Sequence, residues 1–250
     1  MTTEEMVVDV SQDWVLACDV QRGFMEAPCA KNDSLDYSAR CRQVRALGGD
    51  SYNFLPREDG LALMVGDASG KGLAAALMMA NVQACLRTAA LFNGDDLAAV
   101  VKIVNHLAYA SSSRERYATL FYGVLDNAKR TLRYVNAGQN PPVVLRRDGS
   151  VEWLEASGAP VGMFADSAYE ERVVELETGD VVIAYTDGVV EAMDANGEEW
   201  GVEGLLKAAM RVAGHSENTR DLVEWIFCSM DRFSGKEQGD DATLAVLRVM

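Results

Sequence analysis

The chain reads as an α+β protein, a layered sandwich in which antiparallel sheets are covered by pairs of helices. Three observations lead there. Strand-like runs follow one another in hairpin-length steps, helical stretches come in twos, and the two kinds do not alternate as a parallel βαβ fold requires. No Ser- or Pro-rich linker, charge block or internal repeat divides the 250 residues. The expected organisation is an N-terminal segment, residues 1–34, carrying one helix, and a main domain over residues 35–250.

A helix is expected over about 12–26, with Trp14, Cys18, Phe24 and Met25 among its apolar residues. From Leu35 the texture changes to short runs parted by turn signals. Residues 35–45 alternate in part, 51–57 follow Gly48-Gly49, and 61–65 follow Asp59-Gly60. Residues 73–92, rich in Ala, Leu and Met, read as a long helix closed by Asn93-Gly94, and a second helix is expected over 95–110. Strand signals return at 118–125, 132–136, 142–145, 172–176 and 181–185. Two helices, 202–212 and 219–233, precede a last strand over 243–249.

Composition narrows the functional classes. With 49% hydrophobic and 24% charged residues, the chain has the make-up of a globular domain with a full core. Its 23 Lys and Arg against 38 Asp and Glu leave a formal charge of −15, which argues against nucleic acid or an anionic membrane surface as a partner. The longest unbroken apolar run, residues 73–80, is 8 long, whereas a spanning helix needs roughly 20 residues. The acidic start, Met1-Thr2-Thr3-Glu4-Glu5, is unlike a signal peptide. Five scattered cysteines without a Cys-x-x-Cys, and only two histidines, argue against a zinc cluster or a disulfide framework. A reducing cytoplasm is the expected compartment.

The chemistry is expected in aspartates at strand ends. If the chain folds back at Glu58-Asp59-Gly60, Asp50 and Asp67 face each other across the open end of one ribbon, with Cβ atoms about 5 Å apart. The register stays open by one residue, because the turn type is not legible. Two like charges so placed are destabilising unless a cation or a proton lies between them. Asp187, after the apolar run 181–185, and Asp240-Asp241, before the run 243–249, make a second such meeting point if those strands are antiparallel. An Asp beside Gly at a strand end is also an ordinary turn residue; the weight rests on four sharing one placement. Such oxygen ligands, with no His or Cys nearby, suit Mg²⁺ or Mn²⁺ rather than Zn²⁺. Gly66-Asp67-Ala68-Ser69-Gly70-Lys71-Gly72 fails as a phosphate-binding P-loop on spacing, and Gly48-Gly49-Asp50 does not continue as a nucleotide-cyclase signature.

Taken together, the ordered segments resemble the metal-dependent (PPM, type 2C-like) serine/threonine phosphatases, in their SpoIIE/RsbU-like branch. The residues that carry the resemblance are Gly48-Gly49-Asp50-Ser51-Tyr52, Gly66-Asp67-Ala68-Ser69-Gly70-Lys71-Gly72 and Tyr134-Val135-Asn136-Ala137-Gly138. They continue in Gly158-Ala159-Pro160-Val161-Gly162, Tyr185-Thr186-Asp187-Gly188-Val189-Val190-Glu191-Ala192 and Asp240-Asp241-Ala242-Thr243-Leu244. The resemblance covers about residues 35–249. It implies an α-β-β-α sandwich of two mainly antiparallel sheets flanked by helix pairs, with two divalent metal ions, Mn²⁺ or Mg²⁺, at its edge. The implied ligands are Asp50, Asp67, the carbonyl of Ala68, Asp187 and Asp240, with Asp241 ranked below Asp240. Arg45 matches the position of a phosphate-binding arginine; read from the sequence alone it is equally an exposed arginine on a strand. Asn53 and Gln139 depart from the pattern, where relatives carry Asp and His.

The activity the resemblance implies is hydrolysis of phosphoserine or phosphothreonine in a protein by water activated between two divalent ions. The implied partner is a phosphorylated STAS-domain anti-anti-sigma protein. The 12–26 helix looks like a linker helix through which a homodimer forms. Two rivals stand beside this reading: a non-catalytic partner-binding module of the same fold, and a phosphatase for other phosphoproteins or small phosphoesters, selected through surface loops such as 194–201. His106, His215, Met78, Met79 and Lys71 have plainer readings, the histidines as exposed or structural, the methionines as helix core and the lysine as a solvated loop residue.

Overall fold

The computed structural model describes residues 3–25, 30–31, 34–94, 96–111, 116–216, 218–235 and 238–250. The elements in chain order are α1 (Thr3–Met25), β1 (Ala30–Lys31), β2 (Leu35–Arg42), β3 (Asp50–Arg57), β4 (Gly60–Ala68), α2 (Leu73–Asn93) and α3 (Leu97–Ser111). They continue with β5 (Ala118–Asp126), β6 (Thr131–Ala137), β7 (Val143–Leu145), β8 (Val151–Trp153), β9 (Arg172–Glu175) and β10 (Val181–Tyr185). Last come α4 (Asp187–Val190), α5 (Gly201–Ala213), α6 (Thr219–Ser234) and β11 (Ala242–Val249).

Among the described residues these strands form two sheets, ordered β1-β2-β11-β10-β7-β8 and β3-β4-β5-β6-β9, and every pairing is antiparallel. Three apolar clusters separate four layers. Leu35, Tyr37, Phe54, Leu63, Val65, Phe121, Val182 and Leu247 lie between the two sheets. Met64, Leu120, Tyr122 and Val135 on the outer face of the second sheet meet Met79, Val82, Leu86, Val101 and Val104 of α2 and α3. Ile183, Tyr185, Leu244 and Val246 on the outer face of the first meet Leu205, Leu222, Ile226 and Phe227 of α5 and α6. The strands are apolar on both faces because both faces are covered; β11 is buried at every position. The α-β-β-α sandwich is therefore the fold of this chain.

Differences from the expected elements have local causes. β2 stops at Arg42 rather than running to 45, because its partner β11 begins at Ala242, opposite Arg42. β4 runs on to Ala68, because β5 pairs with it to the end, Ala68 opposite Ala118. α1 starts at Thr3, nine residues earlier than expected; residues 3–11 contain no Gly or Pro, and Glu4 and Glu5 favour a helix N-terminus. Its expected last residue, Glu26, and the expected first residue of α3, Asp95, lie outside the described residues. Asp96 caps α3, accepting from the Ala99 N–H at 2.8 Å. The short elements β1, β8 and α4 were not expected, being too brief to show a period.

α2 is long and apolar enough to cross a membrane by length and composition. Here its face of Ala75, Met78, Met79, Val82, Leu86 and Ala89 is buried against the second sheet. Its alanines let the helix approach the sheet closely, so the hydropathy is explained by core packing. Met78 and Met79 are core residues as expected, while His106 and His215 are exposed.

α1 docks on the second sheet and on α2 through buried amides rather than an apolar stripe. The Gln21 amide donates to the Gly48 carbonyl at 2.7 Å and accepts from the Gly48 N–H at 3.2 Å. At the helix's end the Phe24 carbonyl accepts from Asn53 and from Gln83, both at 2.9 Å. The Phe24 carbonyl is one that a helix terminus leaves without an intrahelical partner. The departure at Asn53 thereby has a physical reason: an aspartate could not donate to Phe24.

Candidate active site

One edge of the sandwich collects the ends of β3, β4, β10 and β11. Asp50 is the first residue of β3 and Asp67 the penultimate residue of β4, and they are direct register partners, with Arg57 opposite Gly60 closing the turn. The expected register is the observed one. In the other sheet β10 and β11 are antiparallel, Tyr185 opposite Leu244. Thr186-Asp187 therefore leaves that sheet beside the segment Asp240-Asp241 that enters it. Asp187 is the first residue of α4 rather than a strand terminus.

The two sheets are tied together at this edge by hydroxyls. Thr186 and Thr243 both donate to Asp50 Oδ2, at 2.6 and 2.7 Å, and Thr186 Oγ1 in turn accepts from the Thr243 N–H at 2.8 Å. Asp241 uses both carboxylate oxygens to accept backbone N–H groups, from Val44 at 2.8 Å and from Gly49 at 3.0 Å. It thereby holds the Gly48-Gly49 turn. Asp240 accepts from the Asp241 N–H at 2.9 Å and pairs with Lys71 at 2.6 Å. Lys71 is thus an ion-paired residue, not a merely solvated one.

The carboxylates share one electrostatic field. Burial raises the Asp50 carboxyl; the two threonine hydroxyls oppose that rise, and Asp241 and Asp187 add to it. Burial also raises Asp67, and Asp50, Asp187, Asp240 and Asp241 push it the same way with no hydrogen bond to offset them. Asp187 and Asp241 are raised too, chiefly by burial. Cys41, opposite Thr243, has its thiol pushed far up by burial and then by Asp50. A neutral thiol so placed is no nucleophile.

Arg45 lies in the exposed bend after β2, not on a strand. Its Nη1 comes within 3.4 Å of the point where a Cβ on Gly72 would stand, so it borders the Gly70-Lys71-Gly72 loop. Gln139 forms a second tie between the sheets: it accepts from the Thr119 hydroxyl at 2.6 Å and donates to the Tyr185 carbonyl at 2.9 Å. Thr119 is the register partner of Asp67. Thr186, Thr243, Thr119 and the role of Gln139 were missed by sequence reasoning; hydroxyls and amides are too common for one sequence to single them out.

As folded, no three His, Cys, Asp or Glu side chains among the described residues stand close enough to hold a metal ion. Asp50, Asp240 and Asp241 are engaged with protein donors, as described above. The chemistry of the set still fits a divalent cation. The donors are all oxygen, and among the described residues Asp67 is repelled by four carboxylates with no hydrogen-bond donor of its own. A Cβ on Gly49 would stand 2.9 Å from Asp67 Oδ1 and 2.8 Å from the Ala68 carbonyl oxygen.

The family model of stage II sporulation protein E (SpoIIE) matches residues 57–250. The chain belongs to the SpoIIE family. Among its relatives, phosphoserine phosphatase RsbU of Bacillus subtilis (strain 168) is 25% identical over 243 residues, 96% of this chain and 71% of RsbU. The chain spans less than half the length of other curated relatives it matches, 39%, 47% and 24% of three of them. In fold, this SpoIIE-family chain is similar to the SiaA-PP2C domain of Pseudomonas aeruginosa, with a TM-score of 0.83 at 20% identity over 99% of each chain. It is also similar to the catalytic domain of the serine/threonine phosphatase PstP in complex with 2 manganese ions, with a TM-score of 0.66 at 20% identity over 87% of this chain and 99% of that one.

Proposed function

We propose that this chain is a metal-dependent protein serine/threonine phosphatase whose substrate is a phosphorylated STAS-domain protein. The observation that carries the proposal is the facing pair Asp50 and Asp67 at an edge that also receives Asp187 and Asp240. We assign Asp50, Asp67, the Ala68 carbonyl, Asp187 and Asp240 as the groups that hold two divalent ions, Mn²⁺ or Mg²⁺. PstP, with its 2 manganese ions on the same fold, supports that assignment. When bound, such ions supply Lewis-acid chemistry, acidifying water and neutralising phosphoryl charge.

The chain's own residues do the rest. Asp50 is oriented by Thr186 and Thr243, Asp241 holds the Gly48-Gly49 turn that leads into Asp50, and Gln139 keeps the two sheets at a set spacing. Arg45, which borders the Gly70–Gly72 loop, is assigned the role of meeting a phosphate oxygen there. A groove of about 640 Å³ lined by Lys71, Glu191, Met193, Asp194, Gln238 and Asp240 adjoins this edge, and we assign it to the peptide around the phosphoresidue. The likeness to RsbU, a phosphoserine phosphatase, supports the choice of phosphoamino acid. The exposed α1 residues Trp14, Val15, Leu16 and Val20 support a homodimer through that helix.

The test is hydrolysis of a phosphoserine STAS protein and of an aryl phosphate with Mn²⁺, Mg²⁺ or chelator, with Asp67→Asn in parallel. Metal-dependent turnover that is lost in Asp67→Asn supports the enzyme, and preference for the STAS protein supports the substrate. A folded protein inert with both metals would leave the same fold as a partner-binding module.

A further inference from the structure

Lys71 stands at the mouth of the carboxylate cluster. Its ammonium pairs with Asp240 Oδ2 at 2.6 Å and donates to the Gly239 carbonyl at 3.0 Å. Its charge also pulls Asp187, Glu191 and Asp241 downward, against burial and their acidic neighbours. The other oxygen of Asp240 accepts the Asp241 N–H. Asp50 is instead met by two hydroxyls and Asp241 by two backbone N–H groups. Among the described residues, Asp240 is the member of this cluster in direct contact with a cationic side chain.

We propose that Lys71 is a tethered counter-ion, which occupies Asp240 in the metal-free chain and is displaced when a divalent ion takes that carboxylate. The inference rests on the reading of Asp240 as a metal ligand. An oxygen that holds an ammonium at 2.6 Å cannot also receive a divalent cation without bringing two positive charges into contact. The side chains of Lys71 and Asp240 are 47% and 40% exposed, and an ion pair so hydrated is weak and easily exchanged. Lysine suits the task, being a compact charge on a flexible stem. Metal binding at Asp240 then exchanges one cation for another, so that the metal-free site is partly neutralised and the affinity for the ion is held down.

The test follows the full chain by NMR with ¹³C-labelled lysine, the Lys71 ε-carbon signal being assigned by its loss in Lys71→Met. Calorimetric titration with Mn²⁺ is run on the wild type, Lys71→Met and Arg45→Met. Mg²⁺ should move the Lys71 signal to the position of a free lysine. Lys71→Met should bind Mn²⁺ about two- to fivefold more tightly than the wild type, beyond any gain in Arg45→Met, which removes a neighbouring charge not paired with Asp240. Binding by Lys71→Met where the wild type shows none would support the same conclusion. A Lys71 signal unmoved while Mg²⁺ is bound, or a gain no larger than that of Arg45→Met, overturns the inference and leaves the phosphatase reading standing. No binding by either protein would overturn both.

Discussion

The Thr186 hydroxyl donates to Asp50 Oδ2 at 2.6 Å across 136 positions of chain, fastening the first sheet to the second at the edge where the carboxylates meet. The same hydroxyl accepts the Thr243 N–H, so one oxygen organises both walls of the site. Thr186→Val keeps the volume and removes both bonds. It should cost about 2 kcal/mol of stability, because a buried N–H loses its partner, and it should weaken Mn²⁺ binding. Urea unfolding and a metal titration of the same preparation check both, and unchanged metal affinity would remove Thr186 from the site.

Asp67 carries the opposite balance, a buried carboxylate repelled from four sides. Asp67→Asn should lower turnover by about two orders of magnitude or more, and yet, at pH values above about 8 where the Asp67 carboxyl is ionised, raise the melting temperature of the metal-free chain, because an unpaired buried charge is removed. A lower melting temperature would show that Asp67 is stabilised by something other than a bound cation.

The raised carboxyls make the metal-free chain sensitive to pH. Their ordinary value is 3.8, and folding pushes Asp50 up to about 7 and Asp67 up to about 8. An acid raised on folding contributes stability that is present below its unfolded value and lost as pH rises through its folded value. Metal-free protein should therefore become less stable between about pH 4 and pH 8, and saturating Mg²⁺ should flatten the upper part of that slope. Unfolding midpoints at several pH values, with and without Mg²⁺, test this; a metal-free chain that gains stability from pH 5 to pH 8 contradicts it.

Asn53→Asp converts a donor facing the Phe24 carbonyl into an acceptor. The change should cost about 2 kcal/mol and free the end of α1 from the sheet. Denaturant unfolding gives the cost, and faster proteolysis within α1 gives the location. Asn53→Ser, which retains a donor, should lie between the two.

Gln139 tests the spacing of the sheets. Gln139→Leu leaves the Thr119 hydroxyl and the Tyr185 carbonyl without this partner, so kcat should fall several-fold while the fold persists. Circular dichroism and steady-state kinetics on one sample separate the two effects, and an unchanged kcat would make the bridge purely structural.

Much of this was legible one strand at a time. The pairing of Asp50 with Asp67 follows to within one residue from the position of a tight turn, because a hairpin's register is set locally once its closing residues are known, and the structure supplies the register. The antiparallel meeting of residues 181–185 with 243–249 was open in the sequence as a condition, and the first sheet supplies it. Arg45 was harder to place, since the end of β2 depends on where β11 begins rather than on residues 42–45 themselves.

The order of the longer helices and strands, the hairpin carrying Asp50 and Asp67, and the all-oxygen character of the candidate ligands were legible in the sequence itself. They rest on hydrophobic period, turn chemistry and residue type, which act over a few positions. The threonine bonds to Asp50, the grip of Asp241 on the Gly48-Gly49 turn, the Gln139 bridge and the pairing of Lys71 with Asp240 were decided by the tertiary structure alone. Each joins residues whose separation in space depends on how two sheets stack, and that stacking is set by the packing of the whole inter-sheet core rather than by any segment of the chain.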